Sequence, residues 1–165
     1  MALSRFAGLS VADVRIGGMP VCDYFSAADD EAAVAVLQTP GGPGRASLDV
    51  VCLKNIDPVV CMAQLEAIMA GCSYEEASRR PRSGQLLSSP DAESAFVLSV
   101  SDTLYELLAA VTEDDLVLAA EPWSLSAEMS WLVDTESATG VLAALAGLAR
   151  RARASDWRLY CWWTL

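Results

Sequence analysis

The sequence predicts a single α+β domain over residues 1–165, in which a mixed sheet is covered by about four helices; an α/β arrangement is the alternative. Three observations support this prediction. Short runs rich in β-branched residues alternate with helical patterns along the chain. A length of 165 residues is typical of one domain. A hydrophobic content of 53% supplies enough apolar surface for one core.

The first predicted helix begins after Asp29, whose carboxylate caps free backbone amides at the helix start. Glu31 favours the positive end of the same helix. The helix ends before the stretch 39–44, which predicts a loop because its prolines lack N–H donors and its glycines add backbone freedom. A second loop is predicted over about 81–91, where Pro, Gly and Ser recur.

The stretch 48–53 predicts a strand that leads into a helix capped by Asp57, with Pro58 at the first helical position. We expect this helix to end at Gly71. Four of its residues share one apolar face at helical spacing: Cys61, Leu65, Ile68 and Cys72. Both cysteines are therefore expected to face the core.

Residues 95–100 predict a second strand, and Ser101 or Asp102 caps the helix that follows it. The apolar run 116–120 predicts a third strand, which stops at Pro122. The acidic residues 113–115 immediately before this run favour a helix or turn start.

The last third of the chain predicts a helix capped by Asp134 or Thr135 and closed by arginines, which complement the negative end of the helix dipole. A strand over 157–163 follows. Its two predicted faces are Trp157, Leu159, Cys161 and Trp163 on one side, and Arg158, Tyr160 and Trp162 on the other.

The charge of the chain excludes several classes of partner. The chain has 22 acidic and 11 basic side chains, which gives a net charge of -11. This balance repels phosphate backbones and anionic lipids, so we expect neither nucleic-acid nor membrane binding. No apolar stretch approaches the roughly 20 residues of a spanning helix. The first residues lack the pattern of a secretory signal, which predicts a cytoplasmic protein.

The residue types needed for common active sites are absent or scattered. The chain has no histidine, the usual general base and a frequent metal ligand. Its five cysteines are odd in number and contain no CxxC pair, so we expect free thiols and no metal. The stretch 41–44 lacks the lysine of a phosphate-binding loop, and no cofactor is predicted. Thiol redox sensing by Cys22 or Cys52 stays open as a minor alternative.

Tryptophan gives the best indication of a binding surface, because three of the five tryptophans fall in the last nine residues. If one face of the terminal strand is open, Arg158, Tyr160 and Trp162 form a contact surface; if both faces are covered, they belong to the core. Glu121 lies just before Pro122 and Trp123, and Trp131 follows Trp123 by eight residues. Glu121, Trp123 and Trp131 are further binding candidates.

Several short sequence segments, spread over most of the chain, resemble a group of small actinobacterial proteins of unassigned function. They are Asp23 to Ser26, Lys54 to Val60, Glu121 to Ser124 and Leu159 to Trp163. More distantly, the order of a helix over 136–153 and a C-terminal hydrophobic strand is similar to the end of the YfbM-like family of uncharacterised bacterial proteins. Neither resemblance implies a reaction.

The sequence therefore predicts a non-enzymatic protein-binding module. Its acidic surface suits the neutralising or regulation of a basic partner, as immunity and anti-factor proteins do, or self-association into a homo-oligomer. The alternative is a small-molecule-binding domain or enzyme, with a pocket between the sheet and residues 121–131. Glu121, Trp123, Trp131 and Tyr160 would line that pocket.

Overall fold

The computed structural model describes residues 20–165. The strands are β1 (Val21–Ala27), β2 (Val50–Lys54), β3 (Ala95–Ser99) and β4 (Arg158–Thr164). The helices are α1 (Asp30–Ala35), α2 (Val60–Ala70), α3 (Tyr74–Ser78), α4 (Asp102–Ala110), α5 (Glu113–Ser124) and α6 (Thr135–Ala154), and a 3-10 turn (Val36–Gln38) extends α1. The expectation that the chain has no secretory signal falls on residues 1–19, outside the described residues.

The four strands form one sheet in the order β2-β1-β4-β3, and every neighbouring pair is antiparallel. With the helices segregated from an antiparallel sheet, the predicted α+β class is confirmed. The sheet differs from the predicted mixed sheet: no strand forms over 116–120, and none of the pairs among the described strands is parallel. β1, which the sequence pattern does not reveal as a strand, occupies the centre between β2 and β4.

The sequence pattern does not reveal β1 as a strand because both of its faces are covered. Residues 22–27 are all buried, so the strand lacks the alternation of apolar and polar residues that marks a half-buried strand. The carboxylate of Asp23 lies in its middle, where an acidic residue is typical of a loop. A central strand buried on both sides is therefore the hardest element to read from this sequence.

Two cores lie on opposite faces of the sheet. The larger core contains α2, α4, α5 and α6 packed on one face, with Tyr24, Leu159 and Cys161 among the strand residues. The smaller core lies beneath α1 and the 3-10 turn, with Phe25, Val97 and Tyr160 at its centre. Both faces of β4 are therefore buried, with the face pattern that the sequence predicts.

Most predicted helix starts are confirmed by side-chain caps. The carboxylates of Asp29 and Asp134 accept hydrogen bonds from the third backbone amide beyond them, at 2.8 and 2.7 Å. Ser101 caps α4 in the same way at 3.1 Å. Asp57 accepts from the amides of residues 59 and 60, so it caps the first turn before α2. Gly71 ends α2 with φ at +66°, a left-handed conformation that suits glycine.

The prediction of a strand over 116–120 is wrong, because these residues lie inside α5. Thr112 caps the helix by accepting from the amide of Asp115 at 3.2 Å, and the acidic residues 113–115 occupy its first turn. Pro122 does not end the helix, which continues to Ser124. A proline in the last turn removes only one helical hydrogen bond, and the packing of Trp123 in the core holds the turn in place.

The cysteines of α2 differ in their environment. Cys61 is fully buried as predicted, whereas Cys72 follows the helix end and is half-buried rather than in the core. The longest helix within residues 20–165 is α6, which carries Glu136 and three arginines. None of the helices described combines the length and hydropathy required to cross a bilayer.

Candidate protein-binding face

Helix α5 is apolar on two sides, and its inner side belongs to the larger core. This inner side consists of Leu116, Ala119, Ala120 and Trp123, all buried. The indole Nε1 of Trp123 donates to the carbonyl oxygen of Cys61 at 3.0 Å. The orientation of α5 is therefore fixed by packing and by a hydrogen bond to α2.

The opposite side of α5 is exposed although it is rich in apolar residues. Val117, Leu118 and Leu125 are exposed to 56%, 72% and 69%. Pro122 and Glu121 are also exposed and lie on the same side, because these positions recur at helical spacing. We call the set Val117, Leu118, Glu121, Pro122 and Leu125 the α5 outer face. A surface helix normally carries polar residues there, so this face has the composition of a contact surface.

Carboxylates lie at the N-terminal end of the α5 outer face and within it, and no cation is nearby in sequence. Glu113, Asp114 and Asp115 are exposed in the first turn of α5, and Glu121 lies within the face itself. Residues 83–149 contain no lysine or arginine. In space, Arg150 lies near the start of α5, where its guanidinium donates to the carbonyl oxygen of Val111 at 2.5 Å. The face therefore combines apolar side chains with a rim of carboxylates at its N-terminal end, where one arginine is also present.

The segment that follows α5 is held against α2 and α6. Met129 is fully buried, and the amide of Gln64 donates to the carboxylate of Glu128. The hydroxyls of Ser124 and Thr135 are 3.1 Å apart and join the two ends of the segment. Trp131 lies within it with 52% of its surface exposed. The predicted candidates Glu121 and Trp131 are thus both at the surface, whereas Trp123 is a core residue.

The three candidates on β4 do not form an open surface. Tyr160 is fully buried and Trp162 is half-buried in the smaller core, while Arg158 is exposed. The loop around Gly42 covers Trp162: a Cβ at Gly42 would lie 2.7 Å from the indole ring. Both faces of the strand are covered, which is the alternative in which these rings belong to the core.

Tyr160 is the centre of a polar cluster at the edge of the smaller core. Its hydroxyl donates to Asp30 at 2.9 Å, and Arg82 forms an ion pair with the same carboxylate at 2.9 Å. Burial, followed by the hydrogen bond to Asp30, raises the pKa of Tyr160 to about 12. The hydrogen bond from Arg82 lowers the pKa of Asp30. The cluster ties α1 to β4 and gives Asp30 a structural role.

The pocket predicted between the sheet and residues 121–131 does not form from its predicted lining. Trp123 and Tyr160 lie in the two different cores, on opposite faces of the sheet. A cavity of about 830 Å³ lies elsewhere, between the start of α1, the helix α4 and the turn from α6 to β4. Its carboxylates include Asp102, which faces Arg158 at 3.5 Å, and Glu106, which pairs with Arg153. Helix capping and ion pairing thus account for most of its charge.

The thiols of residues 20–165 offer little chemistry. Cys22, Cys61 and Cys161 are buried, and burial raises the pKa of Cys61 and of Cys161. Cys52 is exposed, and burial together with the neighbouring Asp23 raises the pKa of its thiol. Within the same range, no group of three or more His, Cys, Asp or Glu side chains is placed to hold a metal ion.

The residues that sequence reasoning missed are the apolar members of the α5 outer face. The signal was present: once 113–124 is read as a helix from its cap and its acidic first turn, Leu118, Pro122 and Leu125 fall on one side. The interpretation of 116–120 as a strand hid this periodicity.

Comparisons with family models, with curated proteins and with solved structures find no match to this chain. The resemblances to small actinobacterial proteins and to the YfbM-like family therefore stay predictions.

Proposed function

We propose that this protein is a non-enzymatic binding module that captures a basic protein partner on the α5 outer face. The observation that carries the proposal is that α5 presents apolar residues to solvent on the side opposite its buried face. Exposed apolar side chains grouped on one rigid helix mark an interaction site more often than scattered ones do. A contact at this face would bury Leu118 and Leu125, the two most exposed large apolar residues of the described chain.

The negative charge of the α5 outer face favours a different protein over a second copy of this chain as its partner. In a symmetric dimer the same patch meets itself, so Glu121, which lies within the patch, would be placed against the acidic patch of the other copy. Like charges across an interface disfavour association, whereas lysines and arginines on a partner would complement the rim. The favoured partner presents an apolar segment flanked by basic residues.

The net charge of -11 supports the same class of partner. A strongly negative protein attracts a positive one over long range and speeds its encounter, an effect that salt screens. Immunity and anti-factor proteins neutralise basic partners in this way, and we propose the same functional type for this protein.

The test compares partner capture by the intact chain and by variants that carry added negative charge on the α5 outer face or away from it. The intact chain and the double variant Leu118→Asp/Leu125→Asp are used as bait in extract from the source cell, and captured proteins are identified by mass spectrometry. Leu165→Asp is the matched control, because Leu165 is an exposed leucine away from α5. Each identified partner is then purified and titrated by calorimetry.

The proposal expects a partner with a net positive binding segment that the intact chain and the Leu165→Asp variant bind alike. The double variant should bind at least about tenfold more weakly, the scale of losing central apolar contacts. Circular dichroism checks that it is folded. Failure to recover a partner, a partner that binds the double variant normally, or a partner with an acidic binding segment would contradict the proposal.

A further inference from the structure

The two edges of the sheet differ in whether a further chain segment pairs with their backbone. At the β3 edge the chain segment 85–88 adds further backbone pairing: the amide of Leu87 donates to the carbonyl of Val97, and the amide of Ser99 donates to the carbonyl of Gln85, both at 2.9 Å. The hydroxyl of Ser88 accepts from the amide of Val97 at 3.0 Å. This edge is therefore closed.

The β2 edge is open as far as residues 20–165 are concerned. β2 pairs with β1 through five consecutive residue pairs, and no backbone hydrogen bond joins it to any other described segment. An edge strand with unpaired N–H and C=O groups is a template for another strand unless proline, a bulge or charged side chains along the strand block it. β2 has no proline and a continuous register, and its one charged residue is Lys54 at its end.

We propose that β2 is a self-association edge, at which two copies of the chain pair through antiparallel β2 strands centred on Cys52. The pairing would join the two four-stranded sheets into one continuous sheet. It is isologous, so every contact occurs twice. This inference does not depend on the proposed function, because β2 shares no residue with the α5 outer face.

The side chains of β2 are complementary to themselves in this register. On the helix-covered face Val51 of one copy lies opposite Leu53 of the other, and Val51 is only half-buried in the single chain. On the other face the exposed Cys52 lies opposite its own copy. The partner strand thus covers apolar surface that the single chain leaves partly exposed.

The charged residues at the ends of β2 favour antiparallel pairing with a second copy of the chain. Antiparallel pairing brings Lys54, the only lysine of the chain, beside the Asp49 end of the other strand. Asp49 also holds Arg151 of its own chain, at 2.6 and 3.1 Å, and a carboxylate accepts hydrogen bonds from two cations. The edge is also one of the less negative parts of the molecule, since Lys54 and Arg151 are exposed there. Repulsion between two acidic chains is therefore weaker here than at the α5 outer face.

The first test measures the mass of the intact chain by sedimentation equilibrium over a range of concentrations at physiological salt. The expected result is a concentration-dependent rise from 17.5 kDa towards twice that mass. A constant mass of one chain up to about 0.5 mM, a concentration at which even weak pairing is populated, would overturn the proposal.

The second test identifies the edge. Cys52→Lys places two ammonium groups opposite each other in the dimer, while within one chain the new lysine lies beside Asp23 and is compatible with the fold. We expect the dimer dissociation constant to rise about tenfold or more. Cys72→Lys is the matched control, because Cys72 is a half-exposed cysteine outside the sheet, and it should leave the constant unchanged. A dimer that both substitutions affect equally would contradict the assignment to β2.

The third test uses cross-linking with a short bis-maleimide, in which each thiol adds across the C=C bond of one maleimide and no oxidant is needed. The experiment is done in a Cys72→Ser background, which removes the other accessible thiol of the described chain. The proposal expects a covalent dimer that is lost when Cys52 is also changed to Ser. A dimer by mass that forms no Cys52 cross-link would overturn the proposed register.

Discussion

The indole Nε1 of Trp123 donates a hydrogen bond to the carbonyl oxygen of Cys61, at 3.0 Å and with both residues fully buried. This contact joins α5 to α2 at the level of the last turn of α5, where Pro122 cannot contribute a helical hydrogen bond. The contact thus holds the turn in which proline removes one backbone hydrogen bond. The outer side of the same turn carries Leu125, so the rigidity of the α5 outer face depends on a core residue.

Trp123→Phe should lower the free energy of unfolding by about 1–3 kcal/mol, because it removes the hydrogen bond and leaves part of the indole volume empty. Urea denaturation followed by circular dichroism measures the change. The contrasting variant is Leu118→Ala on the outer side of α5, where the side chain is 72% exposed. It should change stability by no more than about 0.5 kcal/mol. Equal losses from the two variants would show that the buried and exposed sides of α5 contribute equally to stability.

Gly42→Ala should destabilise the protein, because Gly42 has φ at +78° and an added Cβ would meet the Trp162 ring at 2.7 Å. Strain in the left-handed region and the clash with a half-buried ring together suggest a loss of about 1–3 kcal/mol. Gly44→Ala in the same loop is the control, since a Cβ added at Gly44 would meet no atom within 4 Å. It should be neutral within about 0.5 kcal/mol. Thermal unfolding of the two variants side by side decides the point.

The sequence predicts the elements with local signals and misses those that depend on tertiary structure. Asp29, Ser101 and Asp134 cap helices that begin where the sequence predicts, because a cap is a contact between residues three apart. β1 is missed because burial on both faces removes its periodicity. The run 116–120 is misread because a short apolar run fits a strand and a helix equally well.

For the candidate site too, local patterns are predicted correctly and features that depend on tertiary structure are not. The alternation along β4 correctly separates Tyr160 and Trp162 from Leu159 and Cys161. Whether that second face is open depends on the loop around Gly42, which reaches Trp162 from more than a hundred residues away in the chain. No local pattern contains this information, so a binding surface on β4 could not be distinguished from a second core.

Loss of Arg80 should destabilise the protein more than loss of the whole ion pair that it forms with Glu66. Glu66 is 1% exposed and accepts hydrogen bonds from Arg80 at 2.7 Å and from Ser101, the cap of α4. Arg80→Met leaves a buried carboxylate without its cation, whereas Arg80→Met/Glu66→Leu removes both charges. Urea midpoints should therefore rank the intact chain first, the double variant second and Arg80→Met last. A double variant less stable than Arg80→Met would contradict this account.

The Tyr160 hydroxyl and Asp30 make opposite contributions to the pH dependence of stability. The pKa of Tyr160 is raised to about 12, so its contribution is present below the ordinary tyrosine pKa of 10.0 and is lost as the pH rises through about 12. The pKa of Asp30 is lowered by Arg82, so its contribution is present above the ordinary value of 3.8 and is lost as the pH falls below it.

Asp30→Asn separates these contributions. The amide removes the negative charge beside the Tyr160 hydroxyl, so the pKa of Tyr160 should fall below about 12, while burial keeps it above the ordinary value of 10.0. Tyrosinate absorbance, taken as the difference between each protein and its Tyr160→Phe version, isolates this group from the other three tyrosines. The stability advantage of the intact chain over Asp30→Asn should also shrink as the pH falls below about 4. An unchanged tyrosine titration would show that Asp30 does not act on Tyr160.

Asp23 should protect the exposed thiol of Cys52 from alkylation. The two residues are direct neighbours across β1 and β2, and the thiol interacts with the carboxylate. Burial and this negative charge raise the pKa of Cys52, which keeps the thiol protonated, and the thiolate is the reactive form. Asp23→Asn removes the charge, so alkylation of Cys52 by iodoacetamide at pH 8 should become roughly threefold or more faster. Mass spectrometry of the Cys52 peptide over time measures the rate, and the Cys72 peptide of the same sample is the internal control. A rate at Cys52 that does not change, or changes only in step with Cys72, would mean that Asp23 does not govern this thiol.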